Sequence, residues 1–112
     1  MRIKKAPSEF KKYGANFTMI AREGMIVVYK RVREYEDLTS ETYEVHRLIV
    51  QDPFKGNEEY DKVESLAGES AWGQRGWSFG TIGAAMAKFY LMVDKQELEA
   101  SSGEHEEAEI VS

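Results

Sequence analysis

From Ala15 the chain alternates with a period of two. Phe17, Met19 and Ala21 interleave with Thr18, Ile20 and Arg22, and a Glu23-Gly24 turn signal leads into Met25-Ile26-Val27-Val28-Tyr29-Lys30-Arg31-Val32-Arg33. Two β-rich runs joined by a short glycine turn predict a hairpin. Its second strand puts Ile26, Val28 and Val32 on one side, with Lys30 interrupting the row, and Met25, Val27, Tyr29, Arg31 and Arg33 on the other. The patterning is loose enough that cover on both faces is expected. A polar loop is expected over residues 36–41. A third strand follows over Thr42–Val50, with Tyr43, Val45 and Ile49 facing one way (Arg47 between them) and Glu44, His46, Leu48 and Val50 the other. Asp52-Pro53 should end it, because proline cannot donate to a ladder.

Residues 53–70 read equally as a helix, from Tyr60, Val63 and Leu66-Ala67 with Gly68 as a cap, or as a loop holding a short strand near Tyr60–Val63. Trp77-Ser78-Phe79 fits a brief strand. The clearest helical signal follows: Thr81 suits an N-cap, and Ile82, Ala85, Met86, Phe89 and Val93 recur at helical spacing. A helix apolar along one stripe must lie on something, and the sheet is the available partner. The expected fold class is α+β: a small antiparallel sheet of three to four strands with one C-terminal helix packed on a face. The expected organisation is a basic N-terminal arm over 1–14, a single α+β domain over 15–95 and an acidic disordered tail over 96–112. Within the arm, Ser8 is a possible cap for a short helix over Glu9–Tyr13.

Charge refines this picture. The net charge is −5 at pH 7, yet residues 1–33 hold nine Lys or Arg against two acids, while 94–112 hold one against seven. This polarity fits a basic surface with its own acidic tail, or solubilising charge alone. The chain has no cysteine, which excludes disulfides and thiolate chemistry and leaves a cytoplasmic location as the simplest expectation. Met1–Pro7 carries charge with no apolar run behind it, so neither a secretory signal nor a membrane span is expected.

Candidate chemistry is sparse. His46 and Glu44, two apart on one strand face, form the one pair suited to acid–base work. No nucleophile in a recognisable turn accompanies them, so no catalytic residue is assigned and a non-enzymatic protein is expected. Metal-ligand spacing is absent, Gly73-Gln74-Arg75-Gly76 is not followed by the Gly-Lys-Ser/Thr of a phosphate loop, and no cofactor is expected. The remaining candidates are cations and flat rings. Tyr29, Lys30, Arg31, Arg33, Tyr43, Arg47, Trp72 and Arg75 together could pair with phosphates and stack on unstacked bases. Of the two tryptophans, Trp77 is expected in the core and Trp72 at the surface, where a tryptophan also marks a protein-partner site. The expected partner is therefore a protein or a single-stranded nucleic acid. An open sheet edge makes a homodimer conceivable.

The strand Tyr43-Glu44-Val45-His46-Arg47-Leu48-Ile49-Val50, the stretch Ser70-Ala71-Trp72-Gly73-Gln74-Arg75-Gly76-Trp77-Ser78-Phe79 and the helix with Ala84–Phe89 resemble a group of small phage and prophage proteins. These share a Tyr-Glu-Val-x-Arg-x-Ile strand, a Trp-Gly-x-x-Gly-Trp-Thr stretch and a closing helix. Ser78 stands here where threonine is usual, and the segment before Trp72 departs from the Pro-Ser-rich form of the group. The resemblance covers about residues 42–90. It implies an accessory protein of a phage or mobile element, without assigning residues to a site. In architecture alone, strands followed by a helix are similar to single-stranded-DNA-binding coactivator and Whirly-type folds.

Overall fold

Eight strands and one helix build the chain in a computed structural model that describes residues 2–53, 58–68 and 71–111, with side chains as far as Leu98. The strands are β1 (Ile3–Lys4), β2 (Glu9–Lys12), β3 (Ala15–Glu23), β4 (Ile26–Tyr35), β5 (Leu38–Arg47), β6 (Ile49–Gln51), β7 (Lys62–Ser65) and β8 (Gly76–Phe79); α1 spans Ile82–Val111. They form a five-stranded sheet ordered β2-β3-β4-β5-β8, antiparallel throughout, and a three-stranded sheet ordered β1-β7-β6. In the small sheet β1 runs parallel to β7 and β6 antiparallel to it. The fold is α+β with a single helix, as the sequence pattern predicts, but it has more strands than the expected three or four and divides them between two sheets.

The large sheet grows by hairpins. Lys12 pairs with Ala15 across Tyr13-Gly14, whose φ angles of 54° and 73° are both positive. Two positive values in a two-residue loop are the mark of a type I′ turn, whose twist matches that of the strands. Glu23 pairs with Ile26 across Gly24-Met25, and the Met25 N–H donates to Gln96 Oε1 at 3.1 Å, fixing this turn against α1. β4 and β5 pair from Tyr35↔Leu38 to Ile26↔Arg47. Residues 38–41, expected in a polar loop, are therefore strand, and only Glu36-Asp37 forms the turn. Residues 2–14 are not helical: they supply β1 and β2. Residues 62–65 settle into β7, the strand alternative for that region; residues 54–57 and 69–70 lie outside the described residues. The expected third strand breaks at Leu48, where the chain leaves the large sheet for β6.

A bulge in β3 sets which side chains meet. Pairing with β4 shifts between Met19 and Ala21, so Met19 opposes Tyr29 but Ala21 opposes Val28. The extra residue, Ile20, flips the alternation. Arg22 consequently shares a face with Val27 and reaches Glu64 on β7. Nη1 lies 2.8 Å from Oε1 and Nη2 lies 2.7 Å from Oε2, a bidentate pair joining the two sheets.

Both faces of the large sheet are covered. On one, Ile26, Val28 and Val45 pack against Ala85, Phe89, Met92 and Val93 of α1. Thr81 Oγ1 accepts from Ala84 N–H at 3.2 Å and caps the helix as its sequence position predicts. On the other, Phe17, Val27 and Tyr29 pack with Ala6, Ala15 and Leu48, bordered by Phe10, Met19, Met25 and Leu66. α1 runs on to Val111 and so takes in the acidic stretch that the sequence reading set apart. Among the described residues no helix is long and apolar enough to cross a membrane.

Candidate binding cleft

The sheet face opposite α1 carries a cleft of about 520 Å³ between the β2–β3 hairpin and the Trp72 loop. Its wall on one side is aromatic. Phe10 and Phe17 are cross-strand partners whose rings stack at 4.5 Å and 6°, and Tyr29 meets Phe10 edge-on at 5.2 Å. Lys12, Tyr13 and Arg31 border this wall, with the Arg31 guanidinium 5.9 Å from the Phe17 ring and the Lys12 ammonium 5.0 Å from the Tyr13 ring.

The floor is polar. His46 is buried, and its Nδ1 accepts from the Ala67 N–H at 3.2 Å. That assigns the proton to Nε2, which donates to Glu44 Oε1 at 3.0 Å. The strand spacing that suggested the pair thus holds. Both imidazole nitrogens are engaged, and the ring acts here to fix the Glu44 carboxylate at the cleft. Among the described residues no three His, Asp or Glu side chains converge.

Trp72 closes the far end. Its ring stands edge-on to His46 at 5.6 Å and is 43% exposed, which leaves indole surface open to solvent. The loop that carries it folds back on itself: Trp72 bridges to Gly76, and Gly73, with φ of 84°, donates its N–H to the Gly76 carbonyl at 2.8 Å. Gly76 is needed for close approach. A Cβ there would sit 2.7 Å from both the Trp72 ring and Ala67 Cβ.

The sheet divides the sequence-derived candidates. Arg31 and Trp72 reach the cleft, and Arg33 shares their face, its guanidinium 4.6 Å from the Tyr35 ring. Tyr29 is also on that face but wholly buried. Its hydroxyl donates to the Pro7 carbonyl at 2.7 Å, and burial pushes the phenol up to about 12. It offers no free ring surface. Lys30 and Tyr43 lie on the helix side, where Lys30 pairs with Glu41 at 3.0 Å and Tyr43 packs against the core. Arg75 is a brace, its guanidinium donating to the Arg47 and Leu66 carbonyls at 3.1 and 3.5 Å. Arg47 lines a separate groove beside α1, as does the half-buried Trp77.

Phe10, Tyr13 and Leu66 line the cleft but were not singled out from sequence. A signal existed: Phe10 and Phe17 are symmetric about Tyr13-Gly14, the spacing of partners across a two-residue hairpin loop. No protein-family model matches the chain, and no curated protein or solved structure matches it either.

Proposed function

We propose that this chain is a non-enzymatic binding protein, an accessory protein of the kind the phage-type resemblance implies, and that the aromatic cleft is its binding surface. Single-stranded nucleic acid is the ligand chemistry the cleft fits best. The observation that carries the reading is one cleft lined by an exposed Trp72, a stacked Phe10–Phe17 pair and the cations of Lys12 and Arg31. Flat rings accept an unstacked base of any identity, and the adjacent cations accept its phosphates. Glu44, held by His46, adds an acceptor for a base amino group.

The test is titration of the full chain with short single-stranded oligonucleotides, read by tryptophan fluorescence. Binding should weaken steeply with salt. Trp72→Ala should weaken it about 10- to 100-fold, since a base–aromatic stack is worth about 1–3 kcal/mol. Failure to bind at about 50 mM salt, where phosphate contacts are strongest, overturns the ligand assignment.

A further inference from the structure

β2 is an outer strand of the large sheet, and its side away from β3 has no partner strand among the described residues. The β2–β3 register decides which backbone groups face that open edge. The Met19 N–H donates to the Ser8 carbonyl at 2.8 Å, and Lys12 meets Ala15 across the two-residue turn. Bonded and unbonded pairs alternate along an antiparallel ladder. Ser8, Phe10 and Lys12 therefore bond inward to β3, while the N–H and C=O groups of Glu9 and Lys11 point out of the sheet. Pro7 bounds this edge on one side, since it has no N–H and its carbonyl accepts from the Tyr29 hydroxyl. The Tyr13-Gly14 turn bounds it on the other.

The side chains restrict the partner further. Glu9 and Lys11 share one face of β2, are exposed, and form no ion pair among the described residues. Phe10 and Lys12 share the face of the cleft. A lone lysine guards an edge against pairing, but Glu9 supplies a matching charge two positions away. A second copy of this chain meets these requirements in one register. A two-fold axis normal to the sheet keeps each face on its own side, so odd-numbered residues oppose odd ones and even oppose even. Centring the axis on Glu9 or on Lys11 sets like charges against each other. Centring it on Phe10 sets Glu9 against Lys11 of the second copy, and Lys11 against its Glu9. That register bonds every outward N–H and C=O of both residues. It also makes the two Phe10 side chains an unbonded pair, the kind in which side chains approach most closely.

We infer that this chain self-associates through β2, antiparallel and centred on Phe10, joining two five-stranded sheets into one. The Phe10–Phe17 stack, at 4.5 Å in each copy, then continues across the two-fold axis, and each cleft is bordered by Phe10 of the second copy. The pairing is short, and interfaces below about 1,200 Å² belong to weak, transient complexes, so the dimer forms by mass action. It requires no ligand in the cleft.

Sedimentation of the full chain tests this, from about 10 µM to about 1 mM protein in about 150 mM salt. The mass should rise from 12.8 kDa toward twice that value. Over the same range the Glu9 and Lys11 amide hydrogens should become protected from exchange. Lys11→Pro removes an outward donor and no bond to β3, so its circular dichroism should match wild type. Its association should weaken at least about 10-fold, because the loss is repeated in both copies. Glu9→Lys and Lys11→Glu should each weaken the dimer by opposing like charges, and the two together should restore it. A monomer at every concentration overturns the proposal. So does a dimer that Lys11→Pro leaves intact, which places the interface elsewhere, or a double exchange that fails to restore association. Oligonucleotide is absent throughout, so a failed dimer and a failed cleft are told apart.

Discussion

Removing the guanidinium at position 22 should cost this protein a large share of its stability. The Glu64 side chain is 3% exposed. It accepts two hydrogen bonds from Arg22 and one from the Ala6 N–H at 2.8 Å, with the Lys5 ammonium 3.9 Å away. Arg22→Met leaves that carboxylate buried with one neutral donor and an outlying, exposed lysine. Breaking a buried pair from one side costs about 3–5 kcal/mol. Against the roughly 5–15 kcal/mol that holds a small domain folded, this is a loss of first rank. Replacing both partners, as Arg22→Met/Glu64→Leu, should recover most of it, because no charge is then left in the interior. The side-chain hydrogen bonds from Arg22 are the main cause that holds the Glu64 carboxyl below its ordinary value of 4.5, against the opposing effect of burial. A carboxylate with a depressed folded-state pKa stabilises the fold above the unfolded-state value, and that contribution disappears as pH falls through the folded-state one. The gap between wild type and Arg22→Met should therefore be widest near neutrality and narrow below the ordinary carboxylate value. Urea unfolding of the two single variants, the double variant and wild type, at about pH 7 and about pH 3, measures both quantities. A single-variant cost below about 1 kcal/mol, or a gap that does not change with pH, would refute the buried-pair reasoning.

Two further outcomes test the packing around the cleft. Gly76→Ala should cost about 1–3 kcal/mol by overpacking and shift the Trp72 emission, since the new methyl meets the indole and Ala67 Cβ at 2.7 Å; Trp72→Ala in that background should relieve only part of the cost, and full relief would show that Ala67 yields. Tyr29→Phe should cost about 1 kcal/mol by stranding the Pro7 carbonyl, and it should remove from the alkaline absorbance titration a single tyrosine that ionises near 12.

What could be read directly was periodic or locally capped. The β3–β4 hairpin shows itself by alternation on either side of Glu23-Gly24, and α1 by Thr81 and the Ala85, Phe89 and Val93 stripe that packs on the sheet. Trp77 in β8 follows from its place between Gly76 and the helix cap. The polar segments were harder. Glu41 and Ser40 sit in β5 because β4 offers a partner along its whole length, although nothing in their own composition favours a strand. β1 is two residues long and exists through its parallel pairing with β7, some sixty positions away, helped by the Arg2 N–H donating to Asp61 Oδ2 at 2.6 Å. Pairing at that distance leaves no local pattern to detect.

The candidate site divides in the same way. Residue type alone selected Arg31 and Trp72, and they do border the cleft. It also selected Tyr29, whose ring and hydroxyl the interior consumes, and Lys30, which alternation sends through to the helix side.

By itself, then, the amino-acid order determined the class of fold, the principal hairpin, the start of the helix and the inventory of cations and rings. Those follow from interactions between residues a few positions apart, which a linear pattern records. The tertiary structure alone decided that Arg22 and Glu64 would meet, because the bulge at Ile20 reverses the facing of the last residues of β3. It alone brought Phe10, Arg31, His46 and Trp72 to one cleft, and Arg47, Lys88 and Lys95 to another. Each of those meetings depends on strand register and on which face of the sheet a neighbouring element covers. Register is set by summed pairing and burial across the whole sheet, so no short stretch of sequence contains it.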